Sequence, residues 1–285
     1  MPELPEVESV RRSLLPSLPN KTIKSIEVRK QKIVRSEHFA DYLVGATFKT
    51  IERRAKLLIF QFSNREEIMI AHLKMTGQFL FQDKDITIGG GHSPTPGILP
   101  ELPHKHSHVI WHFADGASLY FNDMRQFGYI ELVTQAQLDT IISKYGIEPN
   151  TDSFIWEDFE KLFKNRKTNL KAFLLNQSLI AGLGNIYVDE ACFHAQVRPD
   201  RKVSTITKNE QRKLFEAIKM VIKDAVDAGG TTFQYYTDAR GTHGNYRNHL
   251  QVFGKTGELC PKTGCVIEKS RVAGRGTHIS PEWQK

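Results

Sequence analysis

The chain has few cysteines and no long apolar run. Cys192, Cys260 and Cys265 are its only cysteines, too few for the disulfide framework of a secreted domain, which agrees with a reducing compartment. No apolar run approaches the roughly 20 residues of a membrane span, and no secretory signal pattern opens the chain. Internal repeats and long low-complexity tracts are also lacking. We therefore expect an intracellular protein without membrane association, cytoplasmic and on the nucleoid if bacterial, nuclear if eukaryotic.

The chain has fewer acidic than basic residues. Asp and Glu number 32 against 39 Lys and Arg, which gives a formal net charge of +7. This balance favours a polyanionic partner such as nucleic acid, although a basic surface without a ligand would give the same count. At 285 residues the chain is long enough for two domains with their own cores.

The hydrophobic pattern changes character near residue 134. After a helical segment at 7–15, short apolar runs separated by Gly and Asn turns extend from 22 to about 133, a pattern that predicts a β-sandwich or flattened barrel. Within it, 83–103 is rich in Gly and Pro and predicts a loop excursion. Beyond 134 the apolar spacing predicts helices, over 135–145, 155–163, 170–177, 185–195 and 208–228. The end of the chain, 250–284, has the pattern of a β-hairpin.

The first residues contain a candidate nucleophile. If Met1 is removed, Pro2 becomes a terminal secondary amine with a pKa of about 8, which can attack an electrophilic carbon at neutral pH and form an imine. Glu3 and Glu6 stand beside it and could serve as general acid or base. The same residues would also suit an ordinary helix start, because Glu stabilises a first turn and Pro5 fits its first position.

Other segments contain candidate DNA contacts. Lys56 ends a run of cations before an apolar strand, where a turn can present it to a phosphate, although an exposed charged hairpin would look the same. Met75, Arg125 and Phe127 could form a wedge that enters a base stack, although Met75 could equally fill the core. Two glycines precede Asn185, the predicted N-cap of a helix whose start could bind phosphate.

The polar segment 231–248 interleaves aromatic and basic residues. Such a loop can fold over a base that has been lifted from the stack. An ordinary surface loop with a few aromatic side chains is the alternative interpretation.

Together and in this order, the motifs resemble the formamidopyrimidine-DNA glycosylase (Fpg/MutM) branch of the Fpg/Nei family. The matching motifs are Pro-Glu-Leu-Pro-Glu-Val-Glu, Arg-Arg-Ala-Lys, His-Leu-Lys-Met-Thr-Gly, Asp-Met-Arg-Gln-Phe-Gly, Ala-Gly-Leu-Gly-Asn-Ile-Tyr and Gly-Arg-Gly-Thr-His. The resemblance implies an α+β fold. Its parts would be an N-terminal β-sandwich with a catalytic N-terminal helix (1–133), a linker (134–150), a helix-two-turns-helix domain (151–248) and a C-terminal finger hairpin (249–285).

The resemblance also implies roles in catalysis. Pro2 would attack C1′ of the damaged nucleotide and form a Schiff base, and Glu3 would protonate the deoxyribose and move protons during strand cleavage. Glu6 would lie in the same pocket, and Lys56 would hold a phosphate next to the lesion. The implied enzyme is a bifunctional glycosylase and AP lyase that removes oxidised purines, oxoguanine and formamidopyrimidines, and leaves a one-nucleotide gap by β,δ-elimination.

Roles in DNA binding follow in the same way. The intercalating triad would be Met75, Arg125 and Phe127. Further DNA-binding positions are His72, Lys171, Asn185, Lys269 and Arg275. The loop 231–248 would cap the flipped base, with base-capping residues Thr232, Tyr236 and Arg240. The expected partner is double-stranded DNA containing oxidised bases or abasic sites, bound by a monomer between its two domains.

One departure from the family concerns zinc. Relatives usually carry four cysteines in the finger, but the corresponding positions here are Cys260, Thr263, Ser280 and Trp283. We therefore expect a zincless finger and no cofactor, with packing by residues such as Ile279 and Trp283 in place of the metal. Arg275 is retained, so the hairpin can still bind phosphate.

Two other functions compete with this interpretation. A Nei-like glycosylase for oxidised pyrimidines is disfavoured by Leu4, where that branch usually has Gly, and by the presence of Arg125 and Phe127. A non-catalytic lesion or abasic-site binding protein is disfavoured because Pro2, Glu3, Glu6 and Lys56 are all present.

Overall fold

The computed structural model describes residues 2–84, 86–91, 101–231 and 246–285. The described residues form two compact units. One unit contains 2–142 and the short segment 228–231, and the other contains Ser143–Asp227 together with Tyr246–Lys285. Within the described ranges, no helix is both long enough and apolar enough to cross a lipid bilayer.

Helix α1, Leu4–Leu14, opens the first unit. Pro5 stands in its first turn, where a missing N–H costs nothing, and the helix buries Val7, Val10 and Leu14 on one face. Two antiparallel sheets follow. A five-stranded sheet has the order β1-β7-β8-β5-β6 and a four-stranded sheet has the order β2-β3-β4-β9. The strands are β1 Ile23–Val28, β2 Phe48–Arg54, β3 Leu57–Phe62, β4 Ile68–His72, β5 Gly77–Asp83, β6 Ile86–Gly91, β7 Ser107–Phe113, β8 Ser118–Asp123 and β9 Tyr129–Val133.

The core of the first unit lies between the two sheets. The Phe60 ring of the smaller sheet is 5.4 Å from the Phe79 ring of the larger, and Phe48 is 6.0 Å from Phe113. The three apolar residues of α1 belong to the same buried cluster. The outer face of the smaller sheet is covered by helix α3, Gln135–Ile142, whose Leu138 packs among strand residues. The predicted sandwich with a docked N-terminal helix is confirmed.

The predicted loop excursion at 83–103 is partly wrong. Residues Ile86–Gly91 form strand β6, which pairs with β5 from Gln78↔Gly91 to Asp83↔Ile86. A Cβ at Gly89 would lie 2.1 Å from the carbonyl oxygen of Phe79. The glycines that favoured a loop therefore allow a close approach of backbones within a sheet.

Helices dominate the second unit. They are α4 Trp156–Lys161, α5 Leu170–Leu175, α6 Asn185–His194 and α7 Lys208–Asp227, with short 3-10 turns at Val203–Thr205 and Tyr246–His249. The first unit contains, besides α1 and α3, only the short helix α2 Phe39–Leu43 and a 3-10 turn at Gln31–Ile33 among its described residues. Each predicted helix beyond 134 is confirmed, with slightly earlier ends. The N-cap of α6 is Gly184 rather than Asn185, so that detail of the prediction was wrong.

The finger contains a shorter hairpin than the sequence predicts. Its strands are β10 Glu268–Val272 and β11 Arg275–Ile279, whereas 250–267, which the predicted hairpin included, contains no strand. The reason is the buried carboxylate of Glu190, which accepts the backbone N–H groups of Gln251, Val252 and Phe253 at 2.8–2.9 Å. Those N–H groups are therefore not available to pair with another strand.

Candidate active site and nucleic-acid interface

Glu6 organises the start of the chain. Its side chain is fully buried, as is almost all of Glu3, and one carboxylate oxygen accepts the Glu3 backbone N–H at 2.9 Å. The other oxygen accepts the backbone N–H of Thr231 at 2.8 Å and its hydroxyl at 3.0 Å. Glu6 therefore fixes both Pro2-Glu3 and the segment that leads into 232–245.

Gly230 is required at this contact. Its φ is +83°, and a Cβ there would lie 2.8 Å from Oε1 of Glu6. Any other residue would be strained in backbone conformation and would also push against the carboxylate. Pro2 itself is buried at the head of α1, so a nucleophile at this position is shielded from bulk water.

Lys56 lies in the tight turn between β2 and β3. Ala55 in that turn has a φ of +55°, and the Lys56 side chain is largely buried. The turn is tied to α1 because Arg53 donates to Glu8 at 3.0 Å and to the Ala55 carbonyl at 2.8 Å. Arg53 is thus an internal partner, which the cation run in the sequence did not reveal.

Glu8 is a functional-site residue that sequence reasoning missed. Its carboxylate also accepts from Arg11 at 2.7 Å and from Arg12 at 2.9 Å. Burial raises the pKa of Glu8, but hydrogen bonds and charges from Arg11 and Arg53 outweigh it and bring the pKa to about 2. Arginines three and four residues after a glutamate on a helix were the available signal.

His72 ends strand β4 and faces a group of cations. Its Nδ1 accepts the Lys74 backbone N–H at 3.0 Å, so the ring proton is on Nε2. Burial lowers the pKa of His72, and the charges of Lys74, Lys56 and Arg35 lower it further, to about 3. The ring is therefore neutral near pH 7 and presents one N–H donor. Lys74 and Arg35 were not predicted as part of this surface.

The structure brings the three predicted wedge residues together. Arg125 Nη1 lies 3.0 Å from the Met75 sulfur, and its guanidinium carbon is 4.8 Å from the centre of the Phe127 ring. Met75 is 37% exposed and Phe127 53%. Large apolar side chains exposed side by side next to an arginine have the composition of an intercalating wedge.

A buried aspartate holds the wedge in place. Asp123 is fully buried. Its carboxylate accepts the backbone N–H of Arg125 at 3.1 Å and that of Gly128 at 2.7 Å, and also the Thr76 hydroxyl. Because Thr76 precedes β5 and Asp123 ends β8, this carboxylate joins the two turns that carry the wedge.

In the second unit, Lys171 is an internal residue. Its side chain is fully buried and donates to Asp189 at 2.6 Å and to the Gly276 carbonyl at 3.0 Å. Asp189 also accepts the His278 backbone N–H at 3.0 Å. The structure therefore places Lys171 behind the hairpin, where it holds the strand that follows Arg275.

Asn185 contacts the same carbonyl. Its Nδ2 donates to Gly276 at 3.0 Å. An amide nitrogen has two hydrogens, so Asn185 can hold the hairpin and still donate to a phosphate. Gln177 shapes the preceding loop, because it accepts from the Gly182 N–H and donates to the Leu183 carbonyl.

The hairpin presents its cations outward. Its two-residue turn has positive φ at Ala273 and Gly274, 52° and 72°, the geometry that matches the twist of paired strands. Arg275 follows this turn, and both Arg275 and Lys269 are exposed. These positions suit contact with a DNA backbone.

The four finger positions at which the family usually carries cysteine are Cys260, Thr263, Ser280 and Trp283. Trp283 cannot ligate a metal through its indole, and its Nε1 donates to the Phe193 carbonyl at 3.0 Å. Within the described ranges, no group of three or more His, Cys, Asp or Glu residues could hold a metal ion. Cys260 instead packs with Phe193, Val252 and Ile267 in an apolar cluster that Cys265 and Trp283 join. Ile279, although buried, is not in that cluster.

The base-capping assignments lie outside the described residues. They concern Thr232, Tyr236 and Arg240, and they stay predictions.

Comparisons with known proteins match both units. A family model described as the formamidopyrimidine-DNA glycosylase N-terminal domain matches residues 1–130, and one described as the formamidopyrimidine-DNA glycosylase H2TH domain matches 145–237. The formamidopyrimidine-DNA glycosylase of Brevibacillus brevis is 39% identical over 100% of this chain and 99% of its own. That of Listeria monocytogenes is 38% identical over 100% of both chains.

Solved structures agree with these matches. Lactococcus lactis Fpg bound to DNA with an abasic site is 35% identical, with a TM-score of 0.85 over 99% of each chain. Its complex with DNA containing N7-benzyl-Fapy-dG gives a TM-score of 0.84 at 36% identity over 100% of each chain. The chain thus belongs to the formamidopyrimidine-DNA glycosylase family, the DNA-binding glycosylases of base excision repair.

Proposed function

We propose that this protein excises oxidised purines from duplex DNA and then cleaves the strand at the resulting abasic site. The observation that best supports this activity is the buried start of α1, where Glu6 fixes the Pro2-Glu3 segment through the Glu3 N–H at 2.9 Å. A nucleophile held in one position and shielded from water meets the geometric requirement of covalent catalysis.

The chemistry follows from the amine. The Pro2 nitrogen forms a bond to C1′ of the damaged nucleotide while the bond from C1′ to the base breaks, and the base leaves with that electron pair. Glu3 protonates the ring oxygen, so the sugar opens to an iminium. Loss of a C2′ proton then expels the 3′ phosphate, and a second elimination expels the 5′ phosphate.

DNA binding would use basic and apolar groups of both units. His72 and Lys56 contact the backbone near the lesion, and the wedge enters the stack where the damaged nucleotide is extruded. Asn185, Lys269 and Arg275 bind the backbone from the second unit, with Lys171 positioning the hairpin rather than touching DNA. Binding by a monomer should weaken with added salt on damaged and undamaged duplexes alike.

The finger is proposed to fold without zinc or any other cofactor. The cluster of Cys260, Phe193, Val252 and Ile267 supports this, because apolar packing supplies the link that a metal would otherwise provide. The hairpin keeps its exposed Arg275, so its contact with phosphate does not depend on a metal.

A second candidate is excision of oxidised pyrimidines. It is worth testing because one solved complex of Lactococcus lactis Fpg contains DNA with an oxidised pyrimidine, at 35% identity and a TM-score of 0.85 over 100% of each chain. Side-by-side excision rates on purine and pyrimidine lesions would rank the two classes.

Borohydride trapping tests the central proposal. The protein is incubated with a duplex that carries one oxidised purine opposite cytosine, and then with an abasic-site duplex. A covalent band from the parent protein, with the DNA located on the Pro2 nitrogen by peptide mapping, establishes the imine and its nucleophile. Binding without any band on either duplex would instead support a non-catalytic lesion-binding protein.

A further inference from the structure

Cys260 and Cys265 face each other across a tight turn of the finger. The Cys260 N–H donates to the Cys265 carbonyl at 2.7 Å, and the Gly264 N–H donates back to the Cys260 carbonyl at 2.8 Å. Leu259 and Val266 form an antiparallel bridge on the outer side. Residues that face each other across an antiparallel pair have Cα atoms about 4.5–5.5 Å apart, within the roughly 4.4–6.8 Å that a disulfide spans.

Both cysteines contribute to the same apolar cluster. Cys260 is a member of the cluster and Cys265 packs against it, while Ser280 Oγ lies 3.2 Å from the Cys265 sulfur. Both side chains therefore lie on the same side of the turn. The Thr263 hydroxyl adds a donor to the Cys265 sulfur at 3.0 Å.

The two thiols differ in access to solvent. Cys265 is partly exposed and Cys260 is buried, and Cys192, in α6, is fully buried. A reagent from solution would thus meet Cys265 first, with Cys260 directly behind it. This arrangement of an accessible thiol and an adjacent resolving thiol is that of a redox pair.

We propose that Cys260 and Cys265 form a reversible disulfide when the protein meets hydrogen peroxide. The Cys265 sulfur attacks one peroxide oxygen, the O–O bond breaks and one water leaves, which gives a sulfenic acid. The Cys260 sulfur then attacks the Cys265 sulfur, the S–O bond breaks and a second water leaves. Two thiols are oxidised and one peroxide is reduced, and a reducing dithiol returns the two cysteines to thiols while it becomes a disulfide itself.

The disulfide would cross-link the base of the finger. Cys260 packs with Val252 and Ile267, and the turn it begins is the part of the finger that leads into strand β10. Oxidation would therefore stabilise the finger by constraining its unfolded state. The oxidised protein should keep its affinity for DNA, because Arg275 and Lys269 lie on the hairpin beyond the cross-linked turn.

Peptide mapping gives a direct test. Trypsin cleaves after Lys262, between the two cysteines, so the fragments 256–262 and 263–269 stay joined only if the disulfide has formed. Folded protein is treated with a few equivalents of peroxide, blocked, digested and analysed by mass spectrometry with and without reductant. We expect the joined pair in the folded protein, its loss on reduction, and a rise of a few degrees in the unfolding temperature.

Variants separate this pair from other thiol chemistry. Cys265→Ser, at the more exposed position, should lose the joined peptides and the oxidation-dependent shift in unfolding temperature, while Cys192→Ser should keep both. The proposal is overturned if Cys265 goes to sulfinic acid without a joined pair. It is also overturned if the pair includes Cys192 or a second chain, or if it forms only in denaturant. No DNA is used, so the result is independent of the proposed excision activity.

Discussion

The guanidinium of Arg53 donates to the carboxylate of Glu8 at 3.0 Å, with 6% and 7% of the two side chains exposed. Glu8 is on α1, which directly follows Pro2 and Glu3, and Arg53 is in β2, just before the turn that contains Lys56. This ion pair therefore fixes the distance between two segments that contain candidate catalytic groups.

Replacing Glu8 by Gln should destabilise the first unit by about 3 kcal/mol, because it removes the carboxylate that pairs with the buried Arg53 guanidinium. The pKa of Glu8 is lowered from 4.5 to about 2, so the stabilisation is present above pH 4.5 and is lost as the pH falls towards 2. Chemical unfolding of wild type and Glu8→Gln across this range should give curves that converge at low pH. A constant difference would contradict the assignment, and Glu52→Gln is a control on the neighbouring strand.

Replacing Phe127 by Ala should slow excision of a base-paired lesion, roughly tenfold to a hundredfold, because the wedge would no longer compensate for lost stacking. Cleavage of a preformed abasic site should change much less, since no base has to be extruded. Single-turnover rates on the two duplexes measure the difference. Met124→Ala, which removes another exposed apolar side chain nearby (45% exposed), is the matched control, and equal losses on both substrates would argue against a wedge.

His72 should not act as a pH switch. The pKa of His72 is lowered from 6.5 to about 3, so the ring stays neutral in the folded protein near pH 7. His72 therefore makes stability depend on pH only between about pH 6.5 and 3, where stability falls with falling pH because the unfolded chain takes up a proton. DNA affinity of wild type and His72→Gln, which keeps an N–H donor, should depend on pH in the same way above that window. His72→Ala should bind more weakly at every pH. An NMR titration of the ring with a midpoint near 6.5 would contradict this view.

Replacing Arg275 by Ala should weaken binding to damaged and undamaged duplexes alike. The slope of log K against log salt concentration should become shallower by about one. Trapping of the imine at saturating protein should be unaffected. Arg212→Ala removes the same charge from α7, where the guanidinium lies 4.9 Å from the Trp156 ring. If the two variants lose affinity equally, the effect comes from net charge and not from the hairpin.

Replacing Trp283 by Ala should destabilise the finger by roughly 2 kcal/mol, less than for a fully buried tryptophan, because its ring packs on Phe193 and its Nε1 hydrogen bond is lost. A metal chelator should leave the unfolding of the parent protein unchanged. Zinc found by elemental analysis, together with unfolding by the chelator, would instead show that the finger binds metal.

The sequence by itself determined the elements and the family. Apart from β6, apolar spacing predicted the strands from 22 to 133 and each helix beyond 134, because a period of two or of 3.6 residues is a local property of the chain. Separate motifs in the right order identified the family, and they predicted that Met75, Arg125 and Phe127 form one wedge.

Only the tertiary structure decided which charged side chains bind other groups inside the protein. Arg53 and Lys56 look alike in the sequence, yet Arg53 binds Glu8, 45 residues away. The sequence predicted that Lys171 contacts DNA, but in the structure its side chain is fully buried and binds Asp189. The glycines of β6 are typical of a loop, but in the structure they allow the neighbouring strand β5 to approach closely. Each outcome depends on groups that are far apart in the chain, and periodicity and local motifs carry no information about such pairs.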